Sequence, residues 1–296
     1  MHKVYAPPVR HNTHTLSPNF TELVCVDKKN SIYRCKTCGL YQAVNTSFRS
    51  PDNPDTEEVM MASLEALRRE NYREILRRIR GRLAGREDIY GLDVGCARGW
   101  FLDEARKQSI TMDGIEPERN FFNEAKNYGV NVINGLFPQD FSIHRTYDFV
   151  IFNDVFEHLP DLDSVLKRCD ELLKPDGLLI INCPDSNGIF FRIANLMRSI
   201  GIDSYWRRLW QMDFYSPHLW YFNRENLSQI MEGYGFHCID YSAPKTITVK
   251  GLRQRIMCSA KSAFAGYLTY LVILAGSPFL NLFPKDIMCL FFTKHE

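Results

Sequence analysis

Apolar positions along the chain follow two rhythms, and the change between them divides it. From Glu57 to Arg82 they recur near helical spacing, at Leu64, Leu67, Ile75, Leu76 and Ile79, which predicts one long helix. From Tyr90 onward short apolar runs alternate with amphipathic stretches. The runs predict strands at Tyr90–Val94, Met112–Ile115, Val130–Ile133, Tyr147–Phe152, Leu178–Cys183, Phe236–Tyr241 and Asp286–Thr293. Helices are expected over Trp100–Gln108, Asn120–Tyr128, Leu162–Leu173 and Arg224–Tyr234. Alternating strand and helix implies right-handed βαβ units, so the fold class is α/β with a parallel sheet covered on both faces. Residues 1–50 carry Cys and His and lack helical periodicity. Ser50–Asp55 (SPDNPD) reads as a linker, because two prolines block regular hydrogen bonding. The expected organisation is a module over 1–50, a linker and helix over 51–82, and an α/β domain over 83–296.

Composition narrows the classes of function. The 296 residues are 45% hydrophobic and 24% charged, enough for a sizeable core and too apolar for wholesale disorder. Lys and Arg number 36 against 35 Asp and Glu, so a net charge of +1 argues against nucleic acid held by bulk charge. The opening MHKVYAPPVRHNTH has no apolar core of secretory length, which predicts a cytoplasmic chain. Nine cysteines there are expected as thiols or metal ligands.

The most informative stretch is LDVGCARGWFL, Leu92–Leu102. An apolar strand ends in Asp93, a loop of Gly95, Cys96, Ala97, Arg98 and Gly99 follows, and an amphipathic helix begins. Glycines let the backbone turn sharply and approach a ligand. Glu116 closes the next strand about twenty residues on, where an acceptor-only carboxylate suits a ribose diol. Asn134-Gly135 follows the third strand, and YDFVIFNDVFEHLP (Tyr147–Pro160) covers the fourth. Each lies at the carboxyl end of a strand, where open α/β sheets bind ligands.

This ordered series, continued by LLKPDGLLIINCPD (Leu172–Asp185), resembles the motifs of class I S-adenosylmethionine-dependent methyltransferases from about Leu83 to Glu296. The family's Asp-x-Gly-x-Gly-x-Gly loop has Ala97 at its middle glycine here. The resemblance implies a Rossmann-like seven-stranded sheet with its last strand antiparallel, a role that Asp286–Lys294 fits. It implies that Asp93, Gly95, Cys96, Ala97 and Gly99 cradle the methionine moiety of S-adenosylmethionine. Glu116 would hold the ribose, Asn134 and Gly135 would flank the adenine, and Asn153 would face the methionine end. An NAD domain would share the turn chemistry, but the ordered series favours methyl transfer.

Transfer from a sulfonium needs alignment above all, and a base only when the acceptor arrives protonated. The candidates are His158, in Phe156–Pro160, and His218, in SPHLWYF; a backbone-bonded lid histidine is the competing reading of His218. The aromatic segment Pro184–Phe222 is expected to cover the cleft and shape an acceptor pocket, with local core as its plainer role. The expected acceptor is an oxygen or carbon of a small molecule or of a glycan- or lipid-linked intermediate. A non-catalytic S-adenosylmethionine-binding or partner-docking protein, or an RNA methyltransferase, is the alternative. No Asn-Pro-Pro-Tyr-type tetrad follows strand four, which weakens the last.

Three features lie outside this series. Cys35-x2-Cys38 followed by Gly39 reads as a zinc knuckle, with His11 and His14 as the other ligand pair and Cys25 competing. Methyltransferases with such an N-terminal zinc ribbon usually carry four cysteines, so a ribbon that folds without structural zinc stays open. Eight arginines between Arg68 and Arg86 read as a solvated helix face with local ion pairs such as Glu74–Arg78. Ser262–Pro284 holds 23 residues without a charge. Its position between two strands of one sheet excludes a single membrane span. An insert packed on the body is favoured, and a hairpin peripheral on the inner membrane face is the alternative.

Overall fold

The computed structural model describes residues 22–27, 30–44, 54–212, 216–246, 252–259, 262–276 and 283–294. The chain opens with three antiparallel strands, β1 (Glu22–Asp27), β2 (Asn30–Arg34) and β3 (Tyr41–Val44). A long helix follows, α1 (Pro54–Arg82). The alternating region then runs β4 (Tyr90–Val94), α2 (Trp100–Lys107), β5 (Thr111–Glu116), α3 (Arg119–Lys126), β6 (Asn131–Asn134), β7 (Tyr147–Asn153), α4 (Leu162–Leu172) and β8 (Leu173–Pro184). Two helices, α5 (Ile189–Ser199) and α6 (Ser204–Leu209), lead to the short β9 (Trp220–Tyr221). The remainder is α7 (Arg224–Glu232), β10 (Phe236–Ser242), α8 (Leu252–Ser259), α9 (Ala263–Gly276) and β11 (Ile287–Lys294).

Seven strands form one sheet in the order β10-β11-β8-β7-β4-β5-β6. The strands from β6 to β8 are parallel, and β11 inserts antiparallel between β8 and β10. The sheet is therefore Rossmann-like with its last strand reversed, as the resemblance implies. All seven residues of β7 are buried, which explains why it reads as a continuous apolar run rather than an alternation. One core layer, with Phe152, Leu166, Leu227 and Ile230, fills one face of the sheet. The other layer joins α1 to α2 through Ile75, Ile79, Phe101 and Leu102.

The N-terminal strands are not an appendage. β9 pairs with β3, matching Tyr41 with Tyr221 and Gln42 with Trp220, so the ribbon becomes a four-stranded sheet. A third core of Ile32, Ala43, Phe191, Trp206, Trp210 and Tyr221 lies between this sheet and α5–α6. Four aromatics of the 184–222 insert, Phe191, Trp206, Trp210 and Tyr221, are spent there, while Trp220 and Phe222 join the core of the main sheet. Cys35 and Cys38 do sit at a tight turn: the Gly39 N–H donates to the Cys35 carbonyl (2.9 Å) and Gly39 has φ +73°. Yet no zinc-ribbon site is formed among the described residues. Cys35 packs in the core with Leu40 and Trp220, and no metal-type cluster includes either thiol. His11 and His14 lie outside the described residues, as does the side chain of Cys25. The described part of the ribbon is held by strand pairing and apolar packing.

The arginines of α1 also depart from a solvated face. The local Glu74–Arg78 pair forms at 3.0 Å, but Arg68, Arg69, Arg73, Arg78, Arg82 and Arg86 all reach acids of the sheet domain. Arg69 is the centre of this lattice. It donates to Asp103 at 2.8 Å, Glu104 at 2.9 Å and the Tyr128 hydroxyl at 3.0 Å. Burial works against the charges of Asp103 and Glu104, yet these cations, with Lys107, hold both carboxylates below their ordinary range. Removing one partner from a buried set leaves charge uncompensated. Arg69→Met is expected to cost about 2 kcal/mol at neutral pH, read from urea unfolding. The carboxylate contribution is present above their unfolded pKa and lost as pH falls. The gap between wild type and variant should therefore narrow below about pH 4.

Candidate active site

The site begins where β4 ends. The chain leaves Val94 through Gly95 (φ +70°), Ala97 (φ +45°) and Gly99 (φ +76°) before α2 starts. A Cβ on Gly95 would lie 2.6 Å from a methyl carbon of Val155, so the turn excludes a side chain there. Ala97 occupies the left-handed region that the family's middle glycine suits, at the modest strain a small side chain tolerates. Gly99 serves packing: a Cβ would lie 2.9 Å from the Ala125 backbone on α3.

A cavity opens above this turn. It is lined by Asp93, Gly95, Cys96, Ala97, Arg98, Trp100, Phe101, Phe121 and Asn153, and by Arg68 and Tyr72 from α1. Asp93 is almost wholly buried, and the hydrogen bond it accepts from Asn153 is long, at 3.4 Å. Burial pushes its carboxyl up to about 8, and the Glu116 charge adds to this. A buried carboxylate facing a cavity with so little compensation calls for a cation.

Glu116 lies beside the turn. Its carboxylate accepts the Ala97 N–H (2.8 Å) and the Glu118 N–H (2.9 Å), which ties β5 to the glycine loop. Asn134 donates to the Glu116 and Pro117 carbonyls, and the Gly135 N–H donates to the Glu116 carbonyl. These two residues stand at the same edge but do not line the Asp93 cavity. A more open depression, lined by Tyr90, Arg145, Arg168 and Leu172, lies at the amino ends of the strands, away from this constellation.

Arg68 and Tyr72 are the residues that sequence reasoning missed. Arg68 lies 3.3 Å from Asp154, just past β7. Burial opposes its charge, but Tyr72, Asp154 and Glu157 outweigh that and hold the guanidinium protonated. The available signal was their i,i+4 spacing on one helix face, hidden among eight arginines.

The two candidate histidines are brought together. Their rings are 4.7 Å apart, with Glu157 at hand: His218 Nε2 lies 3.9 Å from Glu157 Oε1. Among the described residues, Glu157, His158 and His218 form the one group of three ligand-type side chains within 4.8 Å of each other. The backbone explains the meeting. The Leu219 N–H donates to the Glu157 carbonyl (2.8 Å), Trp220 Nε1 donates to the Leu159 carbonyl (2.9 Å), and His158 Nδ1 bonds the Pro217 carbonyl (3.0 Å). Burial drives Glu157 well above its ordinary range, with Asp154 adding to it. Burial and His158 drive His218 well below its own. Burial thus favours the neutral form of each. Neither carboxylate oxygen of Glu157 has a hydrogen-bond partner among the described residues.

Comparisons with known proteins agree with this geometry. A family model described as a methyltransferase domain matches residues 65–241. A ubiquinone biosynthesis O-methyltransferase of Bradyrhizobium diazoefficiens is 26% identical over 113 residues, 35% of this chain and 43% of that protein. The C-methyltransferase NovU of Streptomyces niveus is 24% identical over 154 residues, 50% of this chain and 33% of that protein. The chain thus matches less than half the length of these curated relatives. The crystal structure of the plantazolicin methyltransferase BamL, with a triazolic desmethylPZN analog and SAH, covers 82% of this chain and 92% of its own. It has a TM-score of 0.53 at 14% identity, a likeness of fold. With a domain match running from the middle of α1 to the end of β10, the chain belongs to the methyltransferase domain family.

Proposed function

We propose that this methyltransferase acts on an oxygen or carbon of a small molecule or of a glycan- or lipid-linked intermediate. The observation that carries the reading is the juxtaposition of two buried proton-exchanging groups, Glu157 and His218, with the cavity that Asp93 lines. Arg68 connects them: it lines the cavity and lies within electrostatic reach of Asp154 and Glu157. When bound, S-adenosylmethionine supplies an electrophilic methyl group on a sulfonium.

The residues present fit that molecule. Asp93 offers a carboxylate to a cationic methionine end, and Arg68 offers a guanidinium to a carboxylate. A side chain at Gly95 would run into Val155, and Gly95 itself lines the cavity. Asn153 holds Asp93 in place while accepting in turn from Asn182 at 3.4 Å. Glu116 retains lone pairs for a ribose diol beyond the two backbone bonds it accepts. On the acceptor side, burial favours the neutral imidazole of His218, the form that can take a proton, and its Nε2 lies 3.9 Å from Glu157 Oε1. An acceptor hydroxyl or acidic carbon requires such a group. The insert that carries His218 excludes water around it through Trp210 and Tyr221.

Transfer of labelled methyl groups into fractionated extract, separating sugar nucleotides, lipids and RNA, tests the acceptor class; label in RNA alone would sink it. His218→Gln should lower turnover of that acceptor roughly 10²–10⁴-fold while S-adenosylhomocysteine affinity stays within about twofold.

Cofactor binding has its own proton signature. Asp93 must ionise to meet a cation, so below pH 8 binding should release up to one proton, and affinity should rise with pH until about 8. Calorimetry in buffers of different ionisation heat measures this, and Asp93→Asn should lose both the proton release and the affinity. A carboxyl raised in the folded state disfavours folding as pH climbs from about 4 to 8, so the unliganded Asp93→Asn protein should be the more stable one at pH 8. Gly95→Asp and Glu116→Ala should likewise abolish binding, as read by equilibrium dialysis.

A further inference from the structure

The segment between β10 and β11 has a use that methyl transfer does not explain. Ser242 pairs with Cys289, so the chain leaves and re-enters the sheet at neighbouring strands. β10 is parallel to β8, because both are antiparallel to β11, and the segment therefore springs from the carboxyl edge that carries the Asp93 cavity. Helix α8 packs on α1, and α9 packs on α8. That leaves the outer side of α9 without a partner among the described residues. Phe264, Tyr267, Leu268, Leu271 and Ala275 are all exposed, Phe264 at 81% and Leu268 at 53%. Their spacing of three, four, seven and eleven residues from Phe264 draws one continuous stripe along the helix.

Charge tells what covers it. From Tyr241 to Lys285 the chain has no Asp or Glu and six cations, Lys245, Lys250, Arg253, Arg255, Lys261 and Lys285, of which Lys245 is paired with Glu70 of α1. A chargeless helix with an exposed apolar stripe, flanked along the chain by cations alone, suits the surface of an anionic bilayer. A second copy of this chain would place like charges face to face, which disfavours a dimer through the same surface. Among the described residues no helix is long and apolar enough to cross a membrane, so the contact is on the surface.

We infer that α9 docks this protein onto anionic phospholipid membranes, apolar stripe down, with the methyltransferase cavity at the edge nearest the bilayer. This goes beyond the proposed reaction and stands without it, because vesicle binding reads it directly.

The test is co-sedimentation of the full chain with phosphatidylcholine vesicles, with and without phosphatidylglycerol. Phosphatidylglycerol should raise partitioning at least about tenfold, and high salt should reverse the gain. Phe264→Glu with Leu268→Glu should lower it about tenfold or more, at unchanged melting temperature and unchanged S-adenosylhomocysteine affinity. Phe264→Trp keeps the stripe apolar and should give indole emission that brominated lipids quench. Vesicle binding that survives the double Glu change would overturn the inference. So would failure of the wild type to bind phosphatidylglycerol vesicles, or a stable dimer in sedimentation that the double change dissociates.

Discussion

Burial of the parallel strands on both faces is the constraint from which the rest of this structure follows. A strand such as β7, with seven buried residues in a row, has no face to give to polar chemistry. Polar groups can stand only at its ends. The carboxyl edge therefore gathers Asp93, Glu116, Asn153 and Asp154, and the helix that follows β4 must start from a glycine turn to leave room beside them. The same burial that makes the sheet stable makes Asp93 costly to ionise.

Around that edge the protein adds two covers, each built from segments far apart in the chain. Helix α1 lies over the glycine turn and is held by ion pairs to Asp103, Glu104, Asp154 and Asp240 rather than by apolar packing alone. The pairs to Asp103 and Glu104 are buried, so they fix where the helix sits as well as adding stability. The second cover joins the N-terminal ribbon to the 184–222 insert through β3–β9 pairing and a shared aromatic core. Its lower rim carries His218 against Glu157 and His158. The first cover thus brings Arg68 and Tyr72 to the cavity, and the second brings His218 to Glu157 and His158, while their bulk does structural work.

The alternating region was legible because its signals are local. Strand positions came from runs of apolar residues, and the glycine turn from residues that only a tight backbone needs. Gly95 and Asp93 could be placed in this way, and so could the reversed last strand once the resemblance was recognised. The ribbon shows where local signals stop. Cys35-x2-Cys38 does make the expected turn, but a knuckle turn is the same with or without a metal, and the histidines read as its partners lie outside the described residues. The arginine helix fails for a related reason. The i,i+4 partners lie in the sequence for anyone to count, whereas Asp103 and Asp240 are 34 and 162 residues from the arginines that they meet.

The sequence by itself determined the strands and helices of the alternating region, the turn at Gly95, the acids at the ends of β4 and β5, and the long chargeless stretch near the C-terminus. These depend on spacing and on backbone sterics, which act over a few residues. Tertiary structure alone decided that Arg68 and Tyr72 line the cavity and that His158 meets His218. It also decided that the aromatic insert completes the N-terminal sheet and that one stripe of α9 is left outside. Each of those is a choice of partner across dozens of residues. Only the packing of a whole layer, with every buried charge and apolar face needing a neighbour, singles out one partner from the many that the chain offers.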